Sequence, residues 1–332
     1  MASRKPARHV SVKDVAARAG VSFQTTSKVL NGGGTVSEVT RARIHQVASD
    51  LGYVPNLQAR SLVMQRTRTV GLLAGDFSDQ NLSRLIVGAE REARRQGYGV
   101  LMTSIDLEVS GTEYALPSLM ERRVDGILLA APQMEEDRAV ARALDKTVPV
   151  VSLHHIAGGG VATVGSDDEL TGLLATRHLV AKGHRVVATV IGPPARSVTE
   201  SRLRGYRKAL EEAGLPFDER LVTEGIDGSA TVELLQREPG ISAIFAENDH
   251  LAIGVLSALR DIGKRVPEDC AVVGCDDIEM AAFTVPPLTT IHIPFYETGE
   301  QAMRLLLEMV TAGSVAPRNL LLPVHLISRG SS

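Results

Sequence analysis

Three segments in the second half of the chain carry groups suited to a ligand rich in hydroxyls: Arg202 with Gly205-Tyr206, Glu247-Asn248-Asp249, and Gly274-Cys275-Asp276-Asp277. A guanidinium fork donates several hydrogen bonds and a carboxylate accepts them, which is what vicinal hydroxyls require. A second group, near the N-terminus, suits different chemistry. At 100° per residue, a helix from Phe23 to Leu30 puts Phe23, Gln24, Ser27 and Lys28 on one arc of about 140°, opposite Thr25, Thr26 and Val29. The first set can reach into a major groove while the second packs.

The elements that must hold these residues are legible nearby. Ser11-Val-Lys-Asp14 has the form of a capping box, and Val12, Val15 and Ala16 recur at helical spacing until Gly20, giving a helix over 12–19. Ser22 caps the second helix, which stops at Asn31-Gly32-Gly33-Gly34. Two short helices on a tight glycine turn form a helix-turn-helix. A third helix, about 38–51, closes a small core with Ile44, Val47, Ala48 and Leu51. Beyond it Pro55 breaks the chain, and Asn56 can cap a two-turn helix too short to persist without a partner.

From Thr69 onward apolar runs alternate with helical segments. Strands are expected at 70–74, 100–105, 126–130, 148–153 and 161–164, between helices near 82–97, 112–123, 136–146 and 168–182. A second series follows at 186–191, 221–223, 243–246, 271–273 and 289–293. This predicts an α/β body of two similar lobes, each a doubly wound parallel sheet, with the ligand cleft at the carboxyl ends of the strands. The three polar segments named first fall at such ends.

Charge divides the chain in the same place. Residues 1–68 carry 11 Lys/Arg against three Asp/Glu, a net +8, which leaves −11 for the remainder of a chain whose total is −3. A basic head on an acidic body points to a polyanion for the head and another partner for the body. Hydrophobic residues at 44% fit a globular protein, and no apolar run approaches the roughly 18 residues of a membrane helix. With no signal-peptide pattern, a cytoplasmic, nucleoid-associated protein without membrane contact is expected. Cys270 and Cys275 are too few for a four-thiolate zinc site and read as buried thiols. No dinucleotide, phosphate-loop or nucleophile-elbow motif occurs, and the nine histidines never form H-x-x-x-H. Neither metal nor cofactor is expected, and the adjacent carboxylates of Asp167-Asp168 and Asp276-Asp277 diverge too far to act as acid/base pairs.

The run S-V-K-D-V-A-A-R-A-G-V-S-F-Q-T-T-S-K-V-L-N, with G-Y-V-P-N and L-Q-A-R-S-L after it, resembles the head and hinge of the LacI/GalR family of bacterial transcription repressors. The Arg202, Asn248, Asp276 and Thr289-Thr290 segments resemble the family's regulatory domain, which is similar to a periplasmic sugar-binding protein, so the likeness spans about 10–330. It implies a helix-turn-helix head over 1–55, a hinge and linker over 56–68 and a two-lobed effector-binding and dimerisation domain over 69–332. It implies DNA contacts from Ser11, Ser22, Phe23, Gln24, Ser27, Lys28 and Asn31, and from Ala59 and Leu62 of the hinge, with Leu62 wedging into the minor groove of a bent operator. The chemistry agrees, since Gln pairs with adenine, Lys donates to guanine and an apolar wedge unstacks a base step. Effector contacts carry over to Arg202, Asn248 and Asp276, with Asp76, Phe77, Asn81, His154 and Phe295 lining the pocket.

The partners so implied are double-stranded operator DNA, a second copy of the chain and a small effector, which could be a sugar, a sugar phosphate or a nucleoside. The chain has no tryptophan, and Gly225-Ile226-Asp227-Gly228 stands where members that stack a galactoside have one. Stacking then falls to Phe77 or Phe295. Structural readings stand beside these: core packing for Phe23, Leu62, His154 and Phe295, a solvated side chain for Lys28, a salt bridge between lobes for Arg202 and Asp276, and a helix cap for Asn248. A cytoplasmic enzyme of sugar or nucleoside metabolism is the alternative function.

Overall fold

A computed structural model describes residues 10–54, 66–75, 80–104, 112–131, 148–153, 160–194, 196–225, 228–312 and 318–332. The chain divides into two compact units, Met1–Thr67 and Arg68–Ser332.

In the first unit, three helices form where the caps of the first two and the apolar stripe of the third predict them. Helix α1 (Val12–Ala19) starts from Ser11, whose backbone N–H donates to Asp14 Oδ2 at 2.8 Å, and ends at Gly20 with φ +65°. That left-handed turn suits glycine, which has no Cβ to clash. Helix α2 (Phe23–Leu30) starts from Ser22, whose hydroxyl accepts from Thr25 N–H at 3.1 Å, and α3 (Glu38–Asp50) starts from Ser37. Val15, Ala19, Val29, Ile44 and Ala48 are the buried core, with Val47 and Leu51 packed partly against it. The expected hinge helix lies outside the described residues, as do Ala59 and Leu62.

The second unit contains the two expected sheets. The first lobe has β1 (Thr69–Ala74), α4 (Gln80–Arg95), β2 (Gly99–Ser104), α5 (Thr112–Glu121), β3 (Ile127–Ala130), β4 (Val150–Ser152) and β5 (Ala162–Ser166). The second has α6 (Asp168–Ala181), β6 (Val187–Ile191), α7 (Ser197–Glu212), β7 (Val222–Glu224), α8 (Ser229–Arg237), β8 (Ala243–Ala246), α9 (Asp249–Asp261), β9 (Ala271–Asp276) and β10 (Thr289–His292). Helix α10 (Phe295–Ala312) then returns to the first lobe, followed by β11 (Asn319–Leu322) there and β12 (His325–Ile327) in the second. The six-stranded orders β11-β5-β4-β3-β1-β2 and β12-β10-β9-β8-β6-β7 give the lobes the same strand order, with only the edge strands β11 and β12 running in opposite senses relative to their sheets. The strand order reverses beside β1 and β6, so each lobe offers a crevice at its carboxyl edge.

Alternation decides which face each strand residue serves. Val70, Leu72 and Ala74 of β1 join one buried cluster with α4 and α10, while Leu73 joins another with α5. The structure adds what the apolar runs do not announce: β11 and β12 complete the sheets, and β12 pairs antiparallel with β10. The expected strand at 221–223 is displaced by one residue, because Leu221 closes a short 3-10 turn, and the expected helix at 136–146 lies outside the described residues.

Glycine contacts fix the helix pairs. A Cβ on Gly172 of α6 would collide with the carbonyl of Arg202, and one on Gly205 of α7 with the carbonyl of Glu169. Bare backbone at both positions lets α6 and α7 cross in direct contact. Gly88 of α4 and Gly299 of α10 do the same in the first lobe.

Candidate functional site

The head presents an outward face. Phe23 is 50% exposed, and Gln24 and Lys28 are exposed beside it, with Ser27 partly so, whereas Thr26 and Val29 turn inward. Core packing is therefore excluded for Phe23, whose exposure needs another explanation. Thr25, expected inside, is only partly buried, because its hydroxyl bonds Ser22 Oγ at 2.9 Å. Ser11 and Ser22 cap α1 and α2 from exposed positions, and Asn31 closes α2 with its side-chain amide 3.5 Å from Ser27 Oγ. Arg41 donates to Gly34 O at 2.9 Å and so ties the glycine turn to α3.

In the body, Arg202 is positioned by its helix. Tyr206, one turn later on the same face, is fully buried and donates to Val187 O at 2.8 Å. This seats α7 on β6 and aims Arg202 across the carboxyl ends of the second sheet. Arg202 and Asp168 each stand about one turn before the glycines at which α7 and α6 cross, so the crossing brings them together. Arg202 Nε donates to Asp168 Oδ1 at 3.1 Å and Nη2 lies 3.0 Å from the same oxygen. Nη1 donates to Glu247 O at 2.6 Å, and Nη2 is 4.0 Å from Asp276 Oδ1. Burial opposes the guanidinium charge, but Asp168, Asp276 and Glu247 around it outweigh that and hold it protonated. Burial raises the Asp168 carboxyl, which Arg202 pulls back only in part.

Glu247 fixes the neighbouring loop, its carboxylate accepting from Gly192 N–H at 2.5 Å and from the Thr199 hydroxyl at 2.7 Å. Asn248 is the cap of α9, with Oδ1 accepting from Leu251 N–H at 2.9 Å, so what it can still offer a ligand is its amide N–H pair. Asp249 is fully buried, accepting from the Thr290 hydroxyl at 2.6 Å and from Ile278 N–H at 2.9 Å. Burial, with Asp276 and Asp277 nearby, pushes its carboxyl up to about 7 despite those two donors.

Asp276 ends β9 with φ +111° and Asp277 follows with φ +54°. Two consecutive non-glycine residues in that region are held by their surroundings. Arg329 and His292 clamp Asp277 at 2.6 and 3.0 Å, and β10 lies alongside. The lobes meet at this strand end: Asn81 of α4 donates to Asp276 Oδ2 at 2.8 Å, and Arg84 to Asp277 O at 3.4 Å. Phe295 is partly buried against the cores of both lobes.

The structure thus gathers Asn81, Arg202, Asn248 and Asp276 at one strand-end region and sets Phe295 between the lobes. Asp76, Phe77 and His154 lie outside the described residues. Arg202 is ion-paired inside its own lobe, with Asp168, while Asn81 to Asp276 and Arg84 to Asp277 are contacts between lobes. The sequence shows Glu247 at a strand end and Asp168 beside Asp167, but assigns neither an effector contact. Their signal was there, an Asp one helical turn before Gly172 and a Glu at the end of an apolar strand, but their common partner is distant in sequence. Among the described residues, no group of three or more His, Cys, Asp or Glu could hold a metal ion, and no helix is long and apolar enough to cross a membrane.

Comparison with known proteins follows this division. Residues 11–56 match the model described as bacterial regulatory proteins, lacI family, and residues 176–332 match a periplasmic binding protein-like domain. The ribose operon repressor of Escherichia coli (strain K12) is 35% identical over 328 residues, covering 97% of this chain and 99% of that one. A solved complex of the transcriptional regulator CelR with cellobiose aligns with a TM-score of 0.74 at 33% identity, over 98% of this chain and 100% of the other. The lac repressor dimer bound to operator and the anti-inducer ONPF aligns with a TM-score of 0.86 at 29% identity, over 98% and 99%. With a similar head, a similar body and a repressor alike along nearly its full length, this chain belongs to the LacI family of bacterial regulatory proteins.

Proposed function

We propose that the chain is a cytoplasmic, nucleoid-associated transcription repressor that binds a palindromic operator as a dimer and is controlled by a small polyhydroxylated effector held between its lobes. The observation that carries this is the pairing of two dissimilar surfaces in one chain: an exposed Phe23, Gln24 and Lys28 face on a basic head, and a buried Arg202 and Asp276 pair at the strand ends of an acidic body. In this reading Gln24 reads a base edge, Lys28 a guanine or phosphate, and Ser11, Ser22, Ser27 and Asn31 the flanking backbone. Ala59 and Leu62 supply the minor-groove contact, and Asp76, Phe77, His154, Asn248 and Phe295 complete the pocket around Arg202, Asn81 and Asp276. Effector binding shifts DNA affinity only through its differential affinity for two arrangements of the protein, typically about 1–3 kcal/mol.

Fluorescence anisotropy on a palindromic operator tests this when repeated across salt and with a panel of sugars and nucleosides. Log affinity should fall steeply with log salt, by about 0.9 per phosphate neutralised, and at least one panel member should shift the curve. A flat salt response, or equal affinity for the operator and for random DNA, contradicts the reading.

A further inference from the structure

The electrostatics of the cleft bear on which ligand it can hold. Around Arg202 stand three carboxyl groups: Asp168 with Oδ1 3.0 Å from Nη2, Asp276 at 4.0 Å, and Glu247, whose own carbonyl takes Nη1 at 2.6 Å. The neighbouring cation Arg329 is committed to Asp277 Oδ1 at 2.6 Å, and Arg84 points at the carbonyl of the same residue at 3.4 Å. Arg202 is only 7% exposed, and Asp168 takes both Nε and Nη2, the edge of the fork that would grip a phosphate.

We propose that this cleft takes an uncharged polyol and turns away its phosphate esters, and that Asp168, by filling the fork of Arg202, sets this preference. The proposal rests on the effector reading above and narrows it. A hydroxyl can donate to Asp276 or Asp168 and accept from a remaining Arg202 N–H without disturbing the ion pair. A phosphate ester carries a charge of about −1.5 to −2 near neutral pH and is chiefly an acceptor, so it must either displace Asp168 or lie against the carboxylates of Asp168 and Asp276 in a water-poor site, where like charges repel strongly. Asp168→Asn removes one negative charge and keeps an acceptor oxygen for Arg202. Glu169→Gln is the matched control: it removes a charge from the same turn of α6, but Glu169 faces Lys208 and Arg204 at 3.3 and 3.6 Å and not Arg202.

Calorimetry on the full chain, with D-ribose, D-glucose and cellobiose against ribose 5-phosphate, glucose 6-phosphate and inorganic phosphate, provides the test. In the wild-type protein, whichever sugar binds should bind at least about tenfold tighter than its ester, and inorganic phosphate should not compete. Asp168→Asn should narrow that ratio by about tenfold, while Glu169→Gln leaves it in place. An ester bound as tightly as its sugar overturns the proposal, as does an equal change of the ratio in both variants or no change in Asp168→Asn. Binding of no probe by any of the three proteins overturns the effector reading itself, and the proposal with it.

Discussion

Phe23, Gln24 and Lys28 of the head are exposed, whereas Arg202, Glu247, Asp249 and Asp276 of the cleft are at most 7% exposed and tied into hydrogen bonds among themselves and their neighbours. A DNA duplex is a rigid, highly charged partner, so side chains can wait in solvent and meet it on arrival. A small ligand offers little surface, so the protein must hold its polar groups in place beforehand, at the cost of burying charge. Substitutions in the two regions should therefore fail differently: in the head one contact at a time, in the cleft through the groups left behind.

The largest expected effect follows from that difference. Arg202→Ala strands Asp168 and the Glu247 carbonyl without their donor, so effector binding should fall by several kcal/mol and part of the body's stability with it, because a buried charge left unpaired costs about 3–5 kcal/mol. Operator affinity without effector should change only a few-fold, and the variant should be uninducible. Calorimetry alongside anisotropy checks both halves; full effector affinity would reduce Arg202 to a structural ion pair.

Next in size is the pH response of Asp249. Its carboxyl is raised in the folded protein to about 7, so the folded state holds a proton that the unfolded chain releases near pH 4. Stability from this group is fully present below about pH 4 and is lost as pH rises toward 7, with a slope of at most about 1.4 kcal/mol per unit. Asp249→Asn should flatten that part of the urea midpoint against pH. A profile unchanged by the substitution would mean the carboxyl titrates elsewhere.

In the head, Gln24→Ala should relax preference at one base of each half-site by about 1–3 kcal/mol, while Lys13→Ala, exposed on α1, should weaken all sequences alike. Equal effects of both on operator and random DNA would remove Gln24 from base reading. The smallest effect is expected for Ser22→Ala, which loses the cap on α2 at a cost of about 1 kcal/mol to the head and leaves effector affinity as it was. Thermal melts of the wild type and the variant measure it.

What the sequence made legible follows the same division. Helices α1 and α2 were readable because Ser11, Ser22 and Gly20 are local signals, each acting within four residues, and α3 because Ile44, Val47, Ala48 and Leu51 recur at helical spacing. Strand ends were readable because apolar runs stop at Glu247 and Asp276. The commitments of those ends were not: Arg202 meets Asp168 only because Gly172 and Gly205 let two helices touch, and nothing in either segment names the other. Strand β12 escaped notice because its three residues carry no apolar run, and β11 because Asn319–Leu322 pairs with β5, far earlier in the chain. Asn248 was legible in both of its readings, and the structure uses it as a cap.

The central claim is that an exposed basic head reads DNA under the control of a buried cleft. The most direct measurement is anisotropy of the full chain on one palindromic operator, with and without the panel sugar that raises its melting temperature most, for the wild type and Arg202→Ala side by side. The account predicts that the sugar shifts wild-type operator affinity by about 5–150-fold and leaves Arg202→Ala unmoved at nearly wild-type basal affinity. An equal shift in both proteins, or none in the wild type despite tight sugar binding, would contradict it.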